Sequence, residues 1–220
     1  MKCGRSFPSR RAPAQAGAQD TLYPIRPLPY LPRMPMTPPP DLASLSLAEI
    51  AQLAADDRLP PVDKWNPTHC GDSEMRIAAD GTWFHQNSPI GRENMVRLFA
   101  RILRREPDGG YVLVTPVEKL DIAVDDAPFV AVEVKADGEG ESATLAFRLN
   151  TGDIVTAGPD HPLRFEARGE EPRPYLHVRG GLEALVARSV YYELAERALA
   201  ADAERPGVWS NGAFFPLAPA

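Results

Sequence analysis

The chain has few of the residues that cross-link small proteins or hold metal ions. Its 220 residues include two cysteines and four histidines. The cysteines form no C-x-x-C motif, and no two histidines stand two or four positions apart. A disulfide-stapled framework and a paired metal site on one helix or strand are therefore not predicted. We expect neither a metal nor a cofactor.

Long apolar runs and an excess of positive charge are also missing. Apolar stretches such as 111–115 are far shorter than the roughly 18 residues of a membrane-spanning helix. The chain has 24 Lys+Arg against 30 Asp+Glu, a net charge of −6, which disfavours a general nucleic-acid-binding function. The composition, 44% hydrophobic and 25% charged, predicts a globular cytoplasmic protein with no membrane or nucleic-acid partner. It indicates nothing about oligomeric state.

Proline is concentrated at the start of the chain. Ten of the 24 prolines lie within residues 1–40, together with six basic residues and a single acidic one, Asp20. Proline removes amide donors and fixes φ, so this segment is predicted to be a disordered arm. We interpret it as a partner-binding or targeting segment. The alternative is that translation begins at Met34 or Met36 and that the preceding residues are not translated.

The remaining residues predict two domains, 41–125 and 126–220. The first opens with a capping-box pair, Ser46 and Glu49, before a short helix. Asp80-Gly81 and Asn150-Thr151-Gly152 are typical of tight turns between antiparallel strands.

Two amphipathic helices complete the pattern. Apolar residues recur at helical spacing over 93–105 and again after Gly181. Placing Gly91 over Gly181 aligns the two segments and predicts a repeated strand-helix-strand motif. The predicted class is α+β, with two small similar domains built on antiparallel sheets.

No catalytic motif stands out. A Walker loop, a dinucleotide fingerprint and a G-x-S-x-G elbow are all missing from the sequence. The favoured interpretation is therefore a protein that is not an enzyme. An alternative is a metal-assisted or cysteine-dependent hydrolase that uses Cys70 and Asp72 with His85 or His161.

The sharpest binding hypothesis rests on two cations. Arg92 stands at the start of the amphipathic helix predicted over 93–105, where free amides already favour an anion. Lys119 follows the predicted strand that ends at Thr115-Pro116, and we expect it to lie at the same end of the sheet as Arg92. We expect them to hold a small anionic ligand against Trp83 or Trp65 at the domain junction, with Asp72 as a further residue of the site. The competing interpretation is structural, with Arg92 paired to an acid such as Asp72 and the tryptophans filling the junction.

Several ordered strings resemble the bacterial, largely proteobacterial, DUF1285 family. They are Trp65-Asn-Pro, Cys70-Gly-Asp, Asp80-Gly-Thr-Trp-Phe, Pro89-Ile-Gly-Arg, Leu113-Val-Thr-Pro-Val-Glu-Lys and Gly207-Val-Trp-Ser-Asn-Gly. The resemblance covers residues 59–217 and implies a two-domain α+β fold with repeated motifs and no established reaction. It also implies a signalling or ligand-sensing role. Because catalytic motifs are also missing from the sequence, the resemblance favours a non-catalytic ligand-binding or regulatory protein over a protein–protein interaction module.

Overall fold

The computed structural model describes residues 59–168, 171–202 and 204–217. The Pro-rich arm and the predicted helix after Ser46 lie outside the described residues. The described chain opens with a short 3-10 turn, Val62–Lys64. Two six-stranded sheets, two helices and a terminal hairpin follow it.

The first sheet is built from two groups of three strands with a helix between them. In chain order these are β1 (His69–Ile77), β2 (Trp83–His85), β3 (Ser88–Pro89), helix α1 (Glu93–Arg101), β4 (Leu103–Arg105), β5 (Tyr111–Val114) and β6 (Glu118–Val124). Across the sheet the order is β3-β2-β1-β6-β5-β4. The central strands β1 and β6 are parallel, and the other neighbours are antiparallel.

The second sheet uses the next six strands. They are β7 (Phe129–Asp137), β8 (Thr144–Leu149), β9 (Ile154–Thr156), β10 (Leu163–Arg168), β11 (Glu171–Arg179) and β12 (Leu182–Val186). Across the sheet the order is β10-β11-β12-β7-β8-β9. Helix α2 (Arg188–Ala201) and the hairpin of β13 (Gly207–Ser210) and β14 (Ala213–Pro216) follow.

The two sheets share one strand order. Counted within each half, the strands run third, second, first, sixth, fifth, fourth, and in both halves the first and sixth strands are parallel neighbours. The predicted α+β class with two sheet-rich halves is therefore confirmed. The helices break the symmetry, because α1 follows the third strand of its half and α2 follows the sixth.

The predicted helix boundaries need two corrections. The first helix ends at Arg101 rather than Arg105, because Leu103–Arg105 pairs with Tyr111–Leu113 across a turn that Gly109 closes at φ +88°. The segment after Gly181 begins as strand β12, and its helix starts only at Arg188. The alignment of Gly91 with Gly181 was therefore wrong, since it superposes a helix on a strand.

Apolar side chains from both halves form one core. Its largest fully buried members are Trp83 and Ile77 from the first half and Phe129, Phe147 and Leu176 from the second. Burying one such side chain contributes about 1.5–3 kcal/mol to the free energy of unfolding. A smaller cluster of Val62, Val112 and Val114 lies under Trp65.

Candidate functional site

In the described part of the chain, side chains from both halves donate to backbone carbonyls across the junction between them. Asn150 Nδ2 lies 3.2 Å from the Gly81 oxygen, Arg179 Nη2 lies 2.6 Å from the Ala100 oxygen, and Arg105 Nη1 lies 3.0 Å from the Gly181 oxygen. The Arg179 contact is a helix C-cap, because Ala100 belongs to the last turn of α1, whose carbonyls lack partners within the helix. Backbone geometry in one half is thus fixed by side chains of the other.

A cleft of about 230 Å³ opens at this junction. The β1–β2 turn contributes Thr82 and Trp83, the first turns of α1 contribute Glu93 and Arg97, and the β8–β9 turn contributes Asn150 and Thr151. Its walls therefore come from both sheets. A molecule bound in this junction cleft would contact both halves at once.

Arg97 is the cation of the junction cleft. It is half-buried, and its guanidinium lies against Gly152, so that a Cβ added at Gly152 would stand 3.2 Å from Nη2. Within residues 59–168, 171–202 and 204–217, this guanidinium has no hydrogen-bond or ion-pair partner. Gly152, at φ +92°, leaves the space that the guanidinium occupies.

Trp83 forms the apolar back of the junction cleft. It is 1% exposed and stacks on Phe99 with ring centroids 6.3 Å apart. Its buried indole N–H finds no hydrogen-bond partner in the described part of the chain. An unpaired buried donor costs about 1–3 kcal/mol, so this N–H lowers the free energy of unfolding.

The neutral polar side chains of the cleft already have partners. The Asn150 amide donates to Gly81 and its oxygen accepts the Val130 N–H at 3.1 Å. The Thr151 hydroxyl donates to Asp153 Oδ2 at 2.7 Å. These contacts hold the β8–β9 turn in place and leave the charged side chains to meet a ligand.

Lys119 and Trp65, from the predicted site, lie together on the other face of the first sheet. Lys119 Nζ is 3.0 Å from Glu106 Oε2, and Arg104 Nη2 is 2.6 Å from Oε1 of the same carboxylate. Arg104 Nη1 donates to the Trp65 carbonyl at 2.7 Å. Burial raises the pKa of Glu106, but the hydrogen bonds from Lys119 and Arg104 outweigh it and hold that pKa below its usual value.

The other predicted residues lie elsewhere. Trp83 on β2 pairs with Ile77 on β1, and Ile77 pairs with Val124 on β6. Val124 lies five residues, or about 16 Å, along β6 from Lys119. Arg92 is exposed at the start of α1 and Asp72 is exposed on β1. The structure therefore does not gather the two cations and the two tryptophans in one place. Ligand binding by these residues stays a prediction.

Family models decide which proteins this chain is related to. The N-terminal domain of DUF1285, a domain of unknown function, matches residues 60–127, and the C-terminal domain of the same family matches residues 128–217. The chain belongs to the DUF1285 family. The resemblance seen in the sequence strings is confirmed.

Solved structures of this family are similar to the chain. A DUF1285 protein from Silicibacter pomeroyi DSS-3 is 47% identical with a TM-score of 0.68, over 77% of this chain and 94% of that one. A DUF1285 protein from Shewanella baltica OS155 is 26% identical with a TM-score of 0.45, over 56% of this chain and 91% of that one. No curated protein matches the chain.

The residues of the alternative hydrolase are also spread over this DUF1285 fold. His85 pairs with Met75, on the order of 15 Å along β1 from Cys70. His161 belongs to the second half, where its Nδ1 lies 3.2 Å from the His177 carbonyl. Across the described residues, no group of three or more histidines, cysteines and carboxylates is placed to hold a metal ion. None of their helices is long and apolar enough to cross a membrane.

From the sequence, Arg97 belongs to a basic stripe with Arg101, Arg104 and Arg105, which we interpret as a solvated helix face, with binding of phosphate or an acidic partner as the alternative. The available signal was Glu93 four residues before it, a spacing that puts both charges on one helix face. Nothing local indicated that this face meets the β8–β9 turn. That contact is created by the packing of the two halves.

Proposed function

We propose that this DUF1285 protein is a non-catalytic binding protein that holds a small anionic ligand in the junction cleft. The observation that carries the proposal is Arg97, a half-buried cation in a concave wall with no partner in the described chain. A guanidinium offers a fork of N–H donors that suits carboxylate and phosphate groups. The other arginines near the junction, Arg105 and Arg179, already donate to backbone carbonyls.

A regulatory role fits the position of the cleft. A ligand there would touch α1 in one half and the β8–β9 turn in the other. Any difference in its affinity between two arrangements of the halves would shift the population between them. We therefore propose that occupancy of the cleft, rather than turnover of a substrate, is the signal that this protein passes to a partner.

Thermal unfolding of the full chain tests binding. The protein is heated with and without phosphate, oxalate, succinate or citrate, each over a concentration series. A ligand at about 100 times its Kd adds about 2.7 kcal/mol to the free energy of unfolding. We expect one of these anions to raise Tm in the unaltered protein and to lose that effect in Arg97→Gln.

Arg197→Gln is the matched control, because Arg197 is an exposed arginine on α2 that does not line the cleft. It should leave the ligand-induced rise in Tm unchanged. A rise that survives Arg97→Gln but disappears in Arg92→Gln or Lys119→Gln would move the site to the cations predicted from the sequence. Absence of any rise with all four anions would contradict the binding of a purely anionic ligand in the cleft.

A further inference from the structure

The junction cleft presents two opposite charges that do not neutralise each other. Glu93 and Arg97 stand four residues apart on α1 and both line the cleft. A glutamate four residues before an arginine is well placed to pair with it. No ion pair joins them in the described structure, because the Arg97 guanidinium lies against Gly152 in the other half. Glu93 also has no other partner there.

This arrangement disfavours a purely anionic ligand. An anion bound by Arg97 alone would bring its negative charge into the same small cleft as the Glu93 carboxylate. Like charges within a few ångströms of each other raise the free energy of the complex. A ligand that also carries a cationic group would relieve this repulsion by pairing with Glu93.

The rest of the cleft wall is apolar or already hydrogen-bonded. Ile90 and Val96 line it from the α1 side, and Trp83 forms its back. Asn150 and Thr151 have partners within the protein. The uncommitted polar groups are therefore one carboxylate and one guanidinium, beside aliphatic surface.

We infer that the ligand of the junction cleft is a zwitterionic α-amino acid with an apolar side chain, an inference that rests on the proposed binding function. Its carboxylate binds the Arg97 guanidinium and its ammonium group binds the Glu93 carboxylate. Its side chain lies against Ile90 and Val96. The two charges of the ligand then match the two charges of the cleft, and no charge is left without a partner.

The test uses an isosteric series on the full chain. Calorimetric titrations compare L-leucine with 4-methylpentanoate, which lacks the amino group, and with 3-methylbutylamine, which lacks the carboxylate. The other proteinogenic amino acids are screened by thermal shift to find the preferred side chain. We expect leucine or another apolar amino acid to bind at least about tenfold more tightly than either singly charged analogue, because each analogue loses one charge-assisted hydrogen bond.

Two variants assign the charges. Glu93→Gln should remove the preference for the amino acid over its des-amino analogue, and Arg97→Gln should remove the preference over its des-carboxy analogue. Glu196→Gln, on the exposed face of α2, controls for the loss of one negative charge and should change neither preference. This crossed pattern is specific to a zwitterion held between the two side chains.

The outcomes separate this inference from the proposed function. If 4-methylpentanoate or phosphate binds as tightly as any amino acid and Glu93→Gln has no effect, the zwitterion inference is overturned and anion binding stands. A ligand that does not bind at 10 mM gains less than about 2.7 kcal/mol of binding free energy. If neither an anion nor any amino acid binds at that concentration, both the zwitterion inference and the proposed binding function are overturned.

Discussion

The Asn150 side chain joins the two halves by donating to the Gly81 carbonyl, 3.2 Å away, while its oxygen accepts the Val130 N–H within its own half. Gly81 is held so tightly in this contact that an added Cβ would stand 2.5 Å from Asn150 Nδ2 and 2.9 Å from Val130 Cγ2. The turn that the Asp80-Gly81 pair predicts is therefore also a point at which the second half contacts the first.

Gly81→Ala should destabilise the protein by about 2–4 kcal/mol, because it combines strain at φ +82° with overlap against Asn150 and Val130. Gly109→Ala is the matched control, since Gly109 has φ +88° and open space where its Cβ would lie. Chemical denaturation of both variants separates the two effects. Equal losses of unfolding free energy would show that the junction contact contributes nothing beyond backbone strain.

Ser210→Ala should cost about 1–3 kcal/mol of unfolding free energy. The Ser210 hydroxyl is fully buried, donates to the Ala157 carbonyl at 2.7 Å and accepts the Leu145 N–H at 2.9 Å. Its removal leaves the buried Leu145 N–H without this acceptor and loosens the β13–β14 hairpin, while the Ala157 carbonyl still accepts from Asn211 Nδ2 at 3.0 Å. Ser142→Ala removes an exposed hydroxyl and should change stability by no more than about 0.5 kcal/mol. Urea midpoints of the two variants check the difference.

Gly207→Ala should destabilise the same hairpin through overlap with the Phe214 ring, whose Cε2 would stand 2.7 Å from the new Cβ. The expected loss is about 1–3 kcal/mol. Phe214→Leu in the Gly207→Ala background should restore part of the loss, because the smaller side chain makes room. A double-mutant cycle on Tm measures the coupling, and additive effects would show that the ring moves aside without cost.

The ion pairs of Glu106 with Lys119 and Arg104 should make stability depend on pH in the acid range. Because the pKa of Glu106 in the folded protein lies below its unfolded value, its contribution is present above about pH 4.3 and is lost as pH falls through the folded pKa. Glu106→Gln should lose about 1 kcal/mol at pH 7, with the difference from the unaltered protein shrinking toward pH 3. Glu141→Gln, at an exposed site, controls for net charge. A difference that stays constant from pH 7 to pH 3 would refute the linkage.

The parts of the fold that the sequence predicted depend on the backbone preferences of single residues. Asp80-Gly81 and Asn150-Thr151-Gly152 form their turns because glycine accepts positive φ wherever it stands. The end of α1 was not predictable in this way. Arg104 fits a helix as well as a strand, and its pairing with Val112 decides the outcome.

The site was harder to predict than the fold for the same reason. Arg97 and Gly152 meet only because the halves pack together, and no periodicity reports a contact between distant segments. Lys119 was expected to lie at the same end of the sheet as Arg92 and to hold an anion, but in the fold it forms an ion pair with Glu106. A sequence shows which residues carry charge and not which of them remain without a partner after folding.

The pairing of first and last strands has a consequence for synthesis. Because β1 and β6 are neighbours, the centre of the first sheet can close only after Val124 has left the ribosome. In the second sheet, β7 can likewise pair with β12 only after β12 has been synthesised. Each sheet thus closes on a strand that returns to the strand with which it began. Helix α2 and the β13–β14 hairpin follow β12 in the chain and are the last elements of the core to be synthesised.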